Sequence, residues 1–156
     1  MSETLRFDLE DPHSTDARWC LAQYFAEIDR RFEGGFDEAR SLAPDAGEFV
    51  PPKGRFVVVR LEDAPVGCGA LKLLDGVTAE LKRMWISPAA RGRGAGRRLL
   101  AELERLAGEA GASVVRLETN RVLPEAIALY HRSGYAEIPP YNDEPYAHHW
   151  FEKRLT

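Results

Sequence analysis

Residues 88–98 read Pro88-Ala89-Ala90-Arg91-Gly92-Arg93-Gly94-Ala95-Gly96-Arg97-Arg98. Glycines at 92, 94 and 96 let backbone N–H groups turn toward one point without a Cβ in the way. An apolar helical pattern follows, and a helix N-terminus carries partial positive charge directed at that same point. With the arginines as counter-charges, the segment forms a cradle for a phosphate or pyrophosphate. The dinucleotide spacing G-x-G-x-x-G fails, since counting from Gly92 or Gly94 places Arg97 or Leu99 at the last glycine. The Gly-Lys-Ser/Thr of a nucleoside-triphosphate loop is absent. The spacing that fits is R-x-x-G-x-G, at Arg91, Gly94 and Gly96.

Other reactive residue types are sparse. Cys20 and Cys68 are far apart and in no ligand spacing, which predicts two buried thiols in a reducing cytoplasm rather than a disulfide. The histidines (His13, His131, His148, His149) are scattered apart from one adjacent pair, and no metal site is expected.

The elements that must position the cradle follow from periodicity. Leu5–Glu10 reads as a first strand, and Ala17–Phe32 as a helix behind the capping residues Ser14, Thr15 and Asp16. Phe36–Leu42 is expected to be a second short helix, and Ala43–Gly54 a loop. Arg55–Leu61 and Val66–Leu74 form a probable hairpin. Thr78–Ser87 alternates, which predicts Glu80, Lys82, Met84 and Ile86 on one face and Leu81, Arg83 and Trp85 on the other. After the glycine turn, Leu99, Leu100, Leu103, Leu106 and Ala107 recur at helical spacing up to Gly111. Val114–Leu117 is a short strand, Pro124–Arg132 a helix, and Tyr135–Ile138 and His148–Arg154 the last strands.

These pieces together resemble the GNAT superfamily of acyl-CoA-dependent N-acetyltransferases, from Val57 to about Tyr135. The resemblance rests on Glu80-Leu81-Lys82-Arg83-Met84-Trp85-Ile86-Ser87-Pro88, on Arg91 through Leu100, and on Ala126-Ile127-Ala128-Leu129-Tyr130-His131-Arg132-Ser133-Gly134-Tyr135. The last matches the family pattern A-x-x-L-Y-x-x-x-G-F/Y. It implies an α/β (α+β) single-domain fold over residues 1–156, with a mixed, mostly antiparallel sheet of six or seven strands and about four helices. Residues 1–54 would be the N-terminal strand and acceptor-side helices, 55–138 the acetyl-CoA-binding core, and 139–156 an acceptor-side loop and last strand.

The resemblance also implies roles. Acyl transfer from a thioester needs a neutral amine, a stabilised oxyanion and a protonated leaving thiolate. Carried over, Glu80 is the general base, the Met84 N–H is the oxyanion donor, and Tyr130 protonates the thiolate. Met84, Trp85 and Ile86 would bond the pantetheine arm as an added strand would, and Arg91, Gly92, Arg93, Gly94, Ala95, Gly96 and Arg97 would hold the pyrophosphate. The family often places Asn seven residues before its tyrosine; Leu123 stands there, and Asn120 is the candidate substitute. Each role has a plainer counterpart: a strand carboxylate paired with a neighbouring cation for Glu80, a packing ring for Tyr130.

Composition bounds the partners. The chain has 156 residues, a net charge of -4 and 44% hydrophobic residues, which suits one ordinary globular domain. Residues 1–76 carry 9 Lys+Arg against 15 Asp+Glu, whereas 82–98 holds six cations and no acid. A basic cluster in an acidic chain fits a small anionic ligand better than nucleic acid. No apolar run has the length of a membrane span, and the acidic first ten residues are unlike a signal peptide. The expectation is a cytoplasmic acetyl-CoA-dependent enzyme acting on an amine of a small molecule or peptide, without a metal and with a homodimer possible in principle. The resemblance implies an acceptor side formed by Trp19–Val50, whose Glu27, Asp29, Glu33, Asp37, Glu38, Asp45 and Glu48 would attract a cationic amine, and by Pro139–His149. The rival reading is a non-catalytic acyl-CoA-binding or regulatory domain.

Overall fold

The computed structural model describes residues 4–42 and 45–156. Ala43, at the start of the expected loop, lies outside the described residues. The strands are β1 (Leu5–Leu9), β2 (Gly54–Leu61), β3 (Ala64–Leu73), β4 (Thr78–Ile86), β5 (Val114–Thr119), β6 (Ala136–Ile138) and β7 (His149–Arg154). They form one seven-stranded sheet in the order β1-β2-β3-β4-β5-β7-β6. Every pairing is antiparallel except β4 with β5. That exception follows from chain order, since a parallel neighbour needs a crossover and the helix Ala95–Glu109 supplies it.

Three α-helices cover the sheet: α1 (Thr15–Arg31), α2 (Ala95–Glu109) and α3 (Pro124–Arg132). The helix expected over Phe36–Leu42 is instead a single 3-10 turn, Glu38–Arg40. Its segment has no apolar stripe to bury, and none of the three turn residues is buried. Ser14 caps α1 by accepting from the Ala17 N–H at 3.1 Å.

The sheet separates two cores. On one side α2 and α3 bury Leu99, Leu103 and Tyr130 against Val57, Leu71, Leu81 and Phe151. On the other, α1 buries Ala17 and Cys20 against Phe56, Val58, Cys68 and Trp85. Gly69 lets α2 approach closely, because a Cβ there would lie 2.8 Å from Leu103 Cδ1.

Strand β4 departs from simple alternation. The β3–β4 register shifts between Cys68↔Trp85 and Ala70↔Lys82, which leaves one extra residue on β4. Arg83 absorbs it in the left-handed region, at φ 56. The side chains therefore change faces: Leu81 packs on the α2 side, whereas Trp85 packs on the α1 side and Met84 and Ile86 on the α2 side. The expected common face of Glu80, Lys82, Met84 and Ile86 is corrected accordingly. Glu80 and Lys82 face α1, and Met84 and Ile86 face α2.

Candidate active site

Strands β4 and β5 pair only from Thr78↔Val114 to Glu80↔Arg116, yet β4 runs on to Ile86 and β5 to Thr119. Beyond Glu80 the two strands part. The Ser87 N–H bonds the Val66 carbonyl on β3 at 2.7 Å. By alternation the peptide groups of Ile86 and Met84 turn to the opposite, open edge. There the Arg91 Nε donates to the Ile86 carbonyl at 3.1 Å.

Two cavities meet in this gap. The larger, about 600 Å³, lies among α1, α3 and the glycine turn. The smaller, about 130 Å³, lies under α1 and the 141–148 segment. Tyr24, Ile28, Met84, Leu123, Ala126 and Tyr130 line both. The larger has the volume of an ordinary ligand cleft.

The glycine turn suits a bound pyrophosphate. Gly92 and Gly94 sit at φ 83 and 72, where a side chain would be strained. Gly94 precedes α2 without any side-chain cap, and the first turn carries no acid. Its N–H groups are thus offered to an anion. Within 91–97 every residue but Arg93 lines the larger cavity, together with Met84, Trp85, Ile86 and Tyr130. Arg91 is held by Glu27 of α1 at 2.8 Å. Arg31 continues this ionic chain to Glu125 and to the Val122 carbonyl at 3.0 Å.

Tyr130 is 7% exposed and packs edge-on against Tyr135. Burial pushes its hydroxyl up to about 12, so it remains protonated well beyond neutral pH. It can therefore serve as a hydrogen-bond donor to developing negative charge.

The carboxylates lie on the α1 face. Glu80, the expected base, is 6% exposed and lines neither cavity. It accepts from the Tyr141 hydroxyl at 2.6 Å and sits 3.4 Å from Lys82 Nζ. Burial first, and Glu80 second, hold the Tyr141 hydroxyl far above its ordinary value, so Tyr141 is the donor. Lys82 bridges onward to Glu118 at 2.7 Å. Although burial opposes its charge, Glu80 and Glu118 keep the Lys82 ammonium above the ordinary lysine value. Glu118 lines the smaller cavity from β5 and takes a second bond from Asn142 Nδ2 at 2.7 Å.

Several expected residues fall elsewhere. Asn120 lines the smaller cavity, but its amide is engaged by the Tyr146 carbonyl at 2.8 Å and the Val122 N–H at 3.0 Å. It holds the 141–148 segment and is not at the phosphate turn. Leu123 lines both cavities. Neither His148 nor His149 reaches a cavity: His148 accepts from the Arg121 N–H at 3.1 Å, and His149 meets Glu137 at 2.7 Å. Of the acidic N-terminal residues, Glu27 lines the larger cavity, and Asp29 accepts from the Phe36 N–H at 2.8 Å.

The smaller cavity's carboxylates are instead Glu118 and Glu144. Glu144 belongs to the 139–149 segment expected on the acceptor side, whereas no role is expected of Glu118 from the sequence. The signal for Glu118 was its place at the end of a strand leading into the gap. Among the described residues no group of His, Cys, Asp and Glu is placed to hold a metal ion, and no helix is long and apolar enough to cross a membrane.

Residues 15–135 match the model of the acetyltransferase (GNAT) family. An IAA acetyltransferase of Azospirillum brasilense is 36% identical over 130 residues, covering 81% of this chain and 85% of its own. A solved structure from Klebsiella pneumoniae is 28% identical with a TM-score of 0.80, covering 98% of this chain and 99% of its own. A GNAT-family acetyltransferase from Elizabethkingia anophelis, solved with acetyl-CoA bound, shares the fold at a TM-score of 0.68 and 13% identity, over 97% and 98% of the two chains. The match over residues 15–135 and the 36% identical relative make this chain a member of the GNAT family of acetyltransferases.

Proposed function

We propose that the protein transfers an acetyl group from acetyl-CoA to a primary amine of a small molecule or peptide, by direct attack with both substrates bound. The meeting of two cavities at Met84 and Tyr130 carries this reading. Acetyl-CoA supplies the activated acyl carbon. The 91–97 turn and the α2 N-terminus bind its pyrophosphate, and the open edge at Met84 and Ile86 receives its arm. The amine enters from the α1 face.

The nitrogen lone pair forms the C–N bond and the C–S bond breaks. The Met84 N–H stabilises the oxyanion, and the Tyr130 hydroxyl donates to the departing sulfur. We assign the amine's proton to Glu118. Its two oxygens each hold one donor, and a carboxylate has about four acceptor sites, so room is left for the substrate. Glu80 stands behind it through Lys82 and steadies the cluster. Cys20 and Cys68 are buried and line neither cavity, so no thiol is placed to carry the acyl group.

Initial rates with both substrates varied test the sequence of steps. Intersecting reciprocal plots are expected. Parallel plots, the mark of a covalent acyl-enzyme, would refute direct attack.

A further inference from the structure

The smaller cavity has a roof that the reaction itself does not require. Residues 32–42 and 141–148 are joined above it. The Asp37 N–H donates to the Tyr146 hydroxyl at 2.8 Å. The Tyr146 ring packs on Phe36 at 4.8 Å and on Phe32 at 5.7 Å. Glu144, only 8% exposed, accepts from the Ser41 hydroxyl, from the Leu42 N–H at 3.1 Å, and more distantly from the Tyr146 N–H.

All three donors to Glu144 are uncharged. The other charges lining the cavity are matched differently: Lys82 lies between Glu118 and Glu80, and Arg83 is stacked between the Phe25 and Phe49 rings with Glu38 at 3.8 Å. Glu144 thus adds a buried carboxylate, in no ion pair among the described residues, to a chamber walled by Phe32, Phe36 and Tyr146, the last with Arg40 5.9 Å from its ring. Aromatic faces and a desolvated carboxylate together recognise an organic cation.

We propose that the acceptor is a compact amine bearing a second cationic group. The reacting nitrogen sits at Glu118 in the strand gap, and the second cation sits at Glu144 beneath the aromatic roof. Glu144 is then a specificity-determining residue, and the 130 Å³ chamber admits a short diamine. This inference rests on the acetyltransferase reading above.

The test measures CoA thiol release with acetyl-CoA and short α,ω-diamines, set against monoamines of matched length and against α-amino acids. The expected result is a kcat/KM at least about tenfold higher for the best diamine than for its monoamine, carried by KM. Glu144→Gln keeps an oxygen for Ser41 and Leu42 but removes the charge, and it should collapse that ratio to about one. Glu102→Gln removes one negative charge from α2, outside both cavities, so the ratio should persist. Equal use of monoamine and diamine, a preference for α-amino acids, or a ratio unchanged in Glu144→Gln would each overturn the proposal while leaving acetyl transfer standing. Absence of transfer to every amine, despite acetyl-CoA binding, would instead remove the acetyltransferase reading and this inference with it.

Discussion

Lys82 and Met84 stand two residues apart on β4 yet face opposite sides of the sheet. The extra residue at Arg83 makes the difference, in a backbone region that costs a non-glycine residue roughly 1 kcal/mol or more. It divides one strand into a stretch that faces α1, with Glu80 and Lys82, and one that faces α2, with Met84 and Ile86, which under the proposed function are the acceptor and cofactor sides. A uniformly alternating strand would put the expected base and the pantetheine edge on the same side and leave the amine no separate route.

Tyr130→Phe removes the proposed donor to sulfur with little change in packing. We expect kcat to fall about 10- to 100-fold, with the KM for acetyl-CoA nearly unchanged. Burial raises the Tyr130 hydroxyl to about 12, so the wild-type kcat profile should show no basic limb from this group below pH 10. A limb near pH 9 that vanishes in the variant would contradict the raised value of this hydroxyl, whereas an undiminished kcat in the variant would contradict the donor role.

Glu118→Gln and Glu80→Gln separate the two carboxylates. The first should lower kcat about a hundredfold, as loss of a general base does. The second removes negative charge beside Tyr141 and Lys82 but nothing from a cavity wall, and should cost less than about tenfold. The reverse order, read from pH profiles of both variants, would return the role to Glu80.

Gly94→Ala tests the phosphate cradle. At φ 72 an alanine is strained, and any shift of the turn moves the α2 N–H groups. The KM for acetyl-CoA should rise about tenfold or more, with a smaller effect on the amine, as read from steady-state rates at saturating co-substrate.

Acid should weaken the β1–α1 corner. Arg60 bonds Asp8 and Asp16 at 2.9 and 2.8 Å and Glu10 at 2.8 Å. Burial alone would raise the Asp8 carboxyl, but Arg6 and Arg60 more than offset it and hold it below the ordinary value. A depressed folded value gives stability that is present above about pH 4 and lost as pH falls toward the folded value. Urea unfolding should show that loss, and Arg60→Ala should destabilise by about 2 kcal/mol at neutral pH and flatten the acid dependence.

Much of this was legible in the sequence. The glycines at 92 and 94, the leucine stripe of α2 and the helix over Pro124–Arg132 follow from local rules that the chain obeys, whereas Tyr130 is singled out by the family resemblance. The register shift at Arg83 was not legible, because a one-residue bulge depends on pairing with β3 and Arg is an improbable residue at φ 56. The proposed roles of Glu118 and Glu144 are not legible individually for a related reason, although Glu144 lies in the expected acceptor-side segment. Their importance comes from where β4 parts from β5 and where the 32–42 and 141–148 segments meet, both of which are long-range relationships.

Under the proposed function, acetyl-CoA lies along the open edge of β4 with its thioester at Met84. The structure of the acetyl-CoA complex measures this directly. We predict the thioester oxygen about 2.7–3.1 Å from the Met84 nitrogen and the pyrophosphate on the 91–97 turn. A thioester bound elsewhere, or a pyrophosphate away from that turn, would contradict it.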